Sequence, residues 1–142
     1  MRQINHCLMM LALFLCCSGC KEVLHVDPNA KYIEEVQNMI VNVFELSTQV
    51  GEGVAKMAGI EGSVNWSAFK PKEYTGNSNI TCVQARVVGA GKGTKKKTHT
   101  AVLQFLVNSD TGLMKLSSYT IDGRVKSHMD AKVDLIAGSI GL

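Results

Sequence analysis

The spacing of apolar residues predicts one long helix in the first part of the chain. Asp27 and Pro28 form a helix start signal, with Asp27 as the N-cap and Pro28 at the first helical position. Apolar side chains then recur every three or four residues, the period at which a helix buries one face; they are Tyr32, Val36, Met39, Val43, Leu46 and Val50. Glycines at 51 and 53 lower the helix propensity, so we expect the helix to end there or to continue with a bend.

A period of two replaces the helical period further along the chain and predicts about four strands. The alternating segments are 64–68, 81–87, 98–107 and 113–121. Asp110-Thr111-Gly112 and Asp122-Gly123 lie between and after the later strands, and both are strong turn signals. Residues 125–142 fit either a short terminal helix or a fraying tail.

These elements together predict an α+β fold. One long N-terminal helix would cover the apolar face of an antiparallel sheet of about four strands connected as a meander. This element order resembles that of cystatin-like and NTF2-like folds. Folds of this kind carry inhibitors, assembly modules and enzymes, so the fold alone does not predict the function.

The N-terminal segment has the parts of an export signal. Arg2 precedes a run of ten apolar residues at 8–17, which is too short for a membrane-spanning helix, since such a helix needs about 20 apolar residues. Ser18 and Gly19 then precede Cys20. This segment resembles the lipobox signal of bacterial lipoproteins, with Cys17 in place of the usual leucine.

The resemblance implies where the protein is located and how it is attached. Residues 1–19 would be removed as a signal peptide, and Cys20 would carry a diacylglycerol and an N-acyl chain such as palmitate. Residues 20–26 would form the lipidated tether and residues 27–142 a single globular α+β domain. Lys21 stands where an aspartate would retain the protein in the inner membrane. In a Gram-negative host the resemblance therefore implies the periplasmic leaflet of the outer membrane. An ordinary secreted protein cleaved near the same site is the alternative.

Composition limits the chemistry of the mature chain. The net charge of +3 gives no general attraction for nucleic acid, so we expect no nucleic-acid partner. Of five cysteines, Cys82 is the only one that follows the lipobox, so we expect no internal disulfide and a buried thiol. An intermolecular bridge or a redox role for Cys82 is the alternative. The histidines lack the spacing of metal ligands, and we predict no metal and no cofactor.

A glycine-rich segment, 89–94, resembles the end of a phosphate-binding loop. Arg86 occupies the position of that motif's first glycine, and a strand pattern follows where the motif requires a helix. We therefore predict a hairpin loop, and its four lysines become the candidate contact for an anion or a partner: Lys92, Lys95, Lys96 and Lys97. Solvated charges that prevent edge pairing are the alternative explanation for these lysines.

No combination of residues in the chain has the pattern of a catalytic site, and we predict that the protein is not an enzyme. The leading hypothesis is an envelope-anchored lipoprotein with a binding, assembly or inhibitor role. Its partner would be an envelope protein or an anionic surface polymer. The alternative is an enzyme or small-ligand binder of NTF2-like type, with a pocket between helix and sheet lined by polar groups such as Tyr32, Trp66 or Tyr119. A third possibility is self-association through strands or the helix.

Overall fold

The computed structural model describes residues 27–74, 76–90 and 97–141 of the 142-residue chain. The described part has an α+β fold with three helices and two antiparallel sheets. The elements in chain order are α1 (Ala30–Gln37), β1 (Ile40–Val43), β2 (Leu46–Gln49), α2 (Val50–Ala58), β3 (Ser63–Phe69), β4 (Ile80–Ala90), β5 (Thr98–Asn108), β6 (Met114–Ile121), β7 (Arg124–Val125) and α3 (His128–Ala137).

The main sheet is an antiparallel meander of five strands in the order β3-β4-β5-β6-β7. β1 and β2 form a separate two-stranded sheet. The four predicted strands correspond to β3, β4, β5 and β6, so this part of the prediction is confirmed. A bulge between Gln104 and Phe105 shifts the register of β5 against β6.

One face of the main sheet forms the floor of the hydrophobic core. The predicted inward-facing residues of β4 and β5 are 0–1% exposed. They are Thr81, Val83, Ala85, Val87, Ala101, Leu103, Phe105 and Val107. Buried residues of all three helices complete this core, including Val36, Val54 and Leu135. The alternation along β4 and β5 therefore predicted the buried face correctly.

The single long helix predicted from residue 27 onwards is wrong. α1 ends at Gln37, and residues 40–49 form the β1–β2 hairpin, in which Val43 pairs with Leu46. Val41 and Val43 are two residues apart and therefore lie on one side of a strand, and β-branched residues favour strands. Leu46, predicted to face the core, is 62% exposed. Without the long helix, the chain does not have the cystatin-like or NTF2-like element order.

The start of α1 also differs from the prediction. The helix begins at Ala30 with Asn29 as the N-cap, two residues after the predicted start. Asp27 still organises this end, because its Oδ1 accepts a hydrogen bond of 2.9 Å from the backbone N–H of Asn29. The start signal therefore marks a turn that precedes the helix.

The glycines at 51 and 53 lie inside α2, which starts at Val50, and do not end a helix. Gly53 is buried where α2 crosses α3. A Cβ atom at this position would lie 2.7 Å from the backbone oxygen of Leu135. The glycine is therefore required for the close approach of the two helices, and its cost in helix propensity is offset by packing.

The C-terminal segment is predicted to form either a short helix or a fraying tail, and residues 128–137 form a helix. Ser127 and Asp130 make a capping box at its N-terminus: the Ser127 Oγ accepts from the backbone N–H of Asp130, and the Asp130 carboxylate accepts from the backbone N–H of Ser127, both at 3.0 Å. Gly138 ends the helix in the left-handed conformation. Both ends of α3 are therefore set by local signals: the capping box starts the helix and Gly138 ends it.

Candidate functional site

The predicted hairpin between β4 and β5 is confirmed, because the two strands pair from Ile80 with Asn108 to Ala90 with Thr98, next to the residues that connect them. Of the predicted contact lysines, Lys97 is exposed and lies directly before β5. Three more lysines occupy positions between the two strands in the sequence. Those three, Lys92, Lys95 and Lys96, lie outside the described residues, as does the predicted lipidation site, Cys20.

The antiparallel pairing of β5 with β6 brings the start of β5 beside the end of β6. Ala101 pairs with Ile121, and His99 therefore lies next to Asp122 in the turn that follows β6. The His99 Nδ1 atom is 2.6 Å from the Asp122 Oδ2 atom. The other carboxylate oxygen of Asp122 accepts a hydrogen bond of 2.9 Å from the backbone N–H of Thr100. Asp122 thus links the turn to β5 with both oxygens.

The Asp122-Gly123 turn has the geometry that its sequence predicts. Asp122 has a φ of 50° and Gly123 a φ of 78°, both positive as a type I′ turn requires. The hydrogen bond from the Thr100 backbone, followed by that from His99, lowers the pKa of Asp122 below its ordinary value. An ionised carboxylate can only accept hydrogen bonds. His99 therefore carries its proton on Nδ1, and its Nε2 atom is left for another contact.

The turn also positions two basic residues, Arg124 at the start of β7 and Lys126 directly after it. Arg124 pairs with Ile121, and the backbone N–H of Lys126 donates a hydrogen bond of 2.9 Å to the Tyr119 carbonyl. Both side chains are exposed. Together with Lys97 they surround a cleft of about 440 Å³, hereafter the basic cleft. Its lining consists of Lys97, His99, Ile121, Asp122, Arg124, Lys126, Ile140 and Gly141.

The three cations of the basic cleft form no ion pair within the described residues. Hydrogen bonds lower the pKa of Asp122 and of Asp130, and the charges of Lys97 and Lys126, respectively, lower it further. The ion pairs found within residues 27–74, 76–90 and 97–141 are Lys56 with Glu52 and His99 with Asp122, so none involves Lys97, Arg124 or Lys126. The single carboxylate in the lining is the one held by Thr100 and His99. The cleft therefore has an excess of positive charge at a concave surface, where fields from like charges add.

Sequence reasoning identified Lys97 but missed Arg124 and Lys126. The signal was present, because both residues follow the Asp122-Gly123 turn within three positions. What the sequence did not show is that this turn lies beside the start of β5. That proximity depends on the register between β5 and β6, which the bulge at Gln104 alters.

The predicted pocket between helix and sheet does not bring its three aromatic residues together. A groove of about 330 Å³ between the helices and β3 is lined by Trp66, but neither Tyr32 nor Tyr119 contributes to it. Tyr119 is fully buried, and its hydroxyl donates a hydrogen bond of 2.6 Å to Asp134 of α3. Tyr32 is half-buried at the edge of the core, with Lys31 over its ring.

The predicted burial of Cys82 is confirmed, with 4% of the residue exposed. Burial, followed by the nearby charge of Glu73, raises the pKa of its thiol. Because the thiolate is the reactive form, this environment lowers the reactivity of Cys82. Within the described ranges, no group of three His, Cys, Asp or Glu side chains is placed to bind a metal ion.

None of the described helices has the length and apolar character needed to cross a membrane. No family model, no curated protein and no solved structure matches this chain. Inference about function therefore depends on the residues and their geometry.

Proposed function

We propose that this protein is a lipoprotein of the bacterial cell envelope with a non-enzymatic binding role, and that its basic cleft holds phosphate groups of envelope lipids or polymers. The observation that carries the proposal is the convergence of Lys97, Arg124 and Lys126 on one cleft. None of the three takes part in an ion pair within the described ranges.

Phosphate suits this combination of donors. An arginine presents a planar set of donors that matches two phosphate oxygens, and lysines add positive charge without a fixed geometry. The cleft volume of about 440 Å³ accommodates a phosphate together with part of the molecule that carries it.

The lipobox resemblance supports the envelope location. Acylation at Cys20 would tether the chain to a bilayer, and two or more acyl chains give stable attachment. The six residues from 21 to 26 would then span roughly 20 Å when extended. A tether of this length would keep the domain near phosphate-bearing headgroups and surface polymers, in the outer membrane if the host is Gram-negative.

A role in binding, assembly or inhibition fits the environment of the polar side chains better than catalysis does. Asp122 is held by Thr100 and His99, and Asp130 is held in the capping box with Ser127. Asp122 therefore positions the Thr100 backbone and the His99 side chain, and Asp130 positions the Ser127 backbone. Both carboxylates have a structural role.

Vesicle co-sedimentation tests the proposal. The Cys20→Ala protein, which lacks the proposed acyl attachment, is mixed with vesicles of phosphatidylglycerol or of neutral phosphatidylcholine. We expect sedimentation with phosphatidylglycerol only, and competition by inorganic phosphate. An arm with wall teichoic acid, a phosphate polymer without a lipid headgroup, separates binding to a polymer phosphate from binding to a lipid headgroup.

The decisive comparison is between two variants of equal net charge. The cleft variant replaces Lys97, Arg124 and Lys126 with Gln, and the control variant replaces the exposed Lys72, Lys115 and Lys132 with Gln. We expect the cleft variant to bind at least tenfold more weakly than the control variant. Equal binding by the two variants would show that only the overall charge matters and would refute the proposal.

A further inference from the structure

The main sheet has one long edge with which no described strand pairs. β3 is the outermost strand and pairs only with β4, from Ser63 opposite Val88 to Phe69 opposite Cys82, without a register shift. Within the described ranges, no backbone hydrogen bond outside the β3–β4 ladder reaches β3. The outward N–H and C=O groups along its seven residues are therefore free to pair with another strand.

β3 lacks the features that normally prevent edge pairing. Charged side chains, proline, bulges and short length are the usual protections, whereas β3 has the sequence SVNWSAF, with no charge and no proline. The opposite edge of the sheet is different, because β7 has two residues and one of them is Arg124. The two edges therefore differ in their capacity to add a strand.

The strand is also complementary to itself in the antiparallel direction. With a two-fold axis at Trp66, Ser63 faces Phe69 of the second copy, Val64 faces Ala68, and Asn65 faces Ser67. Each cross-strand pair combines a larger with a smaller side chain, or two polar ones, and no like charges meet. Glu61 precedes the strand and Lys70 follows it. The antiparallel pairing therefore brings Glu61 of one copy near Lys70 of the other.

We propose that β3 pairs with β3 of a second copy around this two-fold axis, which joins the two main sheets into one of ten strands. Trp66 is half-buried on the helix-facing side, beside Val64 and Ala68. In the pair, the two Trp66 side chains are directly opposite, with Cβ atoms about 5 Å apart. The remaining exposed surface of each indole is covered by the other, in an aromatic contact.

The proposed dimer has a direct spectroscopic signature, because Trp66 is the only tryptophan in the chain. The full chain in mild detergent is examined by sedimentation velocity and by tryptophan fluorescence over a range of concentrations. We expect a monomer–dimer equilibrium with a blue shift of emission that follows dimer formation. A monomer at every concentration, or dimerisation without a change in emission, would overturn the proposal.

Charges on the strand provide the matched test. The edge variant carries Asn65→Lys and Ser67→Lys, which places lysines opposite each other across the axis. The control variant carries Ser47→Lys and Ser117→Lys at exposed strand positions away from β3. We expect the edge variant to dimerise at least tenfold more weakly than the control variant, with unchanged circular dichroism. Equal dimerisation would overturn the proposal.

Hydrogen exchange of the wild-type protein gives an independent readout if the edge variant does not fold. We expect alternate amides of β3, those that point away from β4, to gain protection as concentration rises. Exchange rates in β3 that do not depend on concentration would contradict pairing through this edge. This association does not depend on the phosphate-binding role of the basic cleft.

Discussion

The Nδ1 atom of His99 lies 2.6 Å from the Oδ2 atom of Asp122 and joins the start of β5 to the turn after β6. The contact has two consequences for the basic cleft. It fixes the histidine tautomer, with the proton on Nδ1. It also engages the one carboxylate in the cleft lining, so that the neighbouring cations are left for an external anion.

The effect of pH on stability is expected to depend on Asp122. Its pKa is lowered in the folded state from an ordinary value of 3.8. A group of this kind stabilises the fold above pH 3.8, and the contribution is lost as the pH falls through the lowered value. We expect Asp122→Asn, which keeps a residue suited to the turn, to melt below the wild type at pH 7.

Thermal melts of wild type and Asp122→Asn between pH 2 and pH 7 measure this difference. The two curves should converge in the acidic part of the range, because both side chains are then neutral. A difference in melting temperature that stays constant over the whole range would show that the charge of Asp122 has no role.

The buried hydrogen bond between Tyr119 and Asp134 is expected to stabilise the packing of α3 on the sheet. Burial, followed by the hydrogen bond to Asp134, raises the pKa of Tyr119, so its hydroxyl remains a donor. Tyr119→Phe removes that donor from a buried acceptor and should lower the free energy of unfolding by about 1–3 kcal/mol. Urea unfolding measures the change. The control is Tyr74→Phe, a change in an exposed tyrosine, which should be close to neutral.

Helix propensity and packing predict opposite outcomes for Gly53→Ala. Propensity alone would stabilise α2 by about 1 kcal/mol. The new Cβ would lie 2.7 Å from the Leu135 backbone oxygen, so we expect a net loss of about 1–3 kcal/mol instead. Urea unfolding of the variant decides the sign. Gly76→Ala, where a Cβ has no neighbour within 4 Å, should change the stability little.

The strands were predictable because a period of two appears over long segments of this sequence. β4 alternates between buried and less buried positions from Val83 to Gly89, and β5 does so from Thr100 to Asn108. The β1–β2 hairpin was not predictable by the same reasoning. Its strands have four residues each, and over such a short length the spacing of Met39, Val43 and Leu46 fits a helix stripe although Val43 and Leu46 lie in strands. Hydrophobic spacing alone does not separate the two structures over so few residues.

The basic cleft was predictable only in part. Lys97 belongs to a visible run of lysines, whereas Arg124 and Lys126 are ordinary surface residues in the sequence. They become part of one site because β5 and β6 are adjacent and because the type I′ turn directs the chain back along β6. Long-range register of this kind depends on pairing across the whole sheet.

Lipidation of Cys20 is expected to determine where the protein is found. Cys20→Ala should move the protein from the membrane fraction to the soluble fraction and abolish labelling with radioactive palmitate. The control, Cys82→Ala, should keep both the membrane location and the label, since Cys82 is buried in the fold. Fractionation and labelling in cells measure both effects. Continued membrane residence of Cys20→Ala would contradict the proposed anchor.

Titration with inorganic phosphate at low ionic strength tests the basic cleft most directly. Arg124→Gln with Lys126→Gln is compared with Lys115→Gln with Lys132→Gln, since both pairs remove two positive charges. If the cleft binds phosphate, isothermal titration calorimetry should detect saturable binding to the wild type and to the second variant, and binding at least tenfold weaker to the first. Equal binding by both variants, or none by the wild type, would contradict the proposed function.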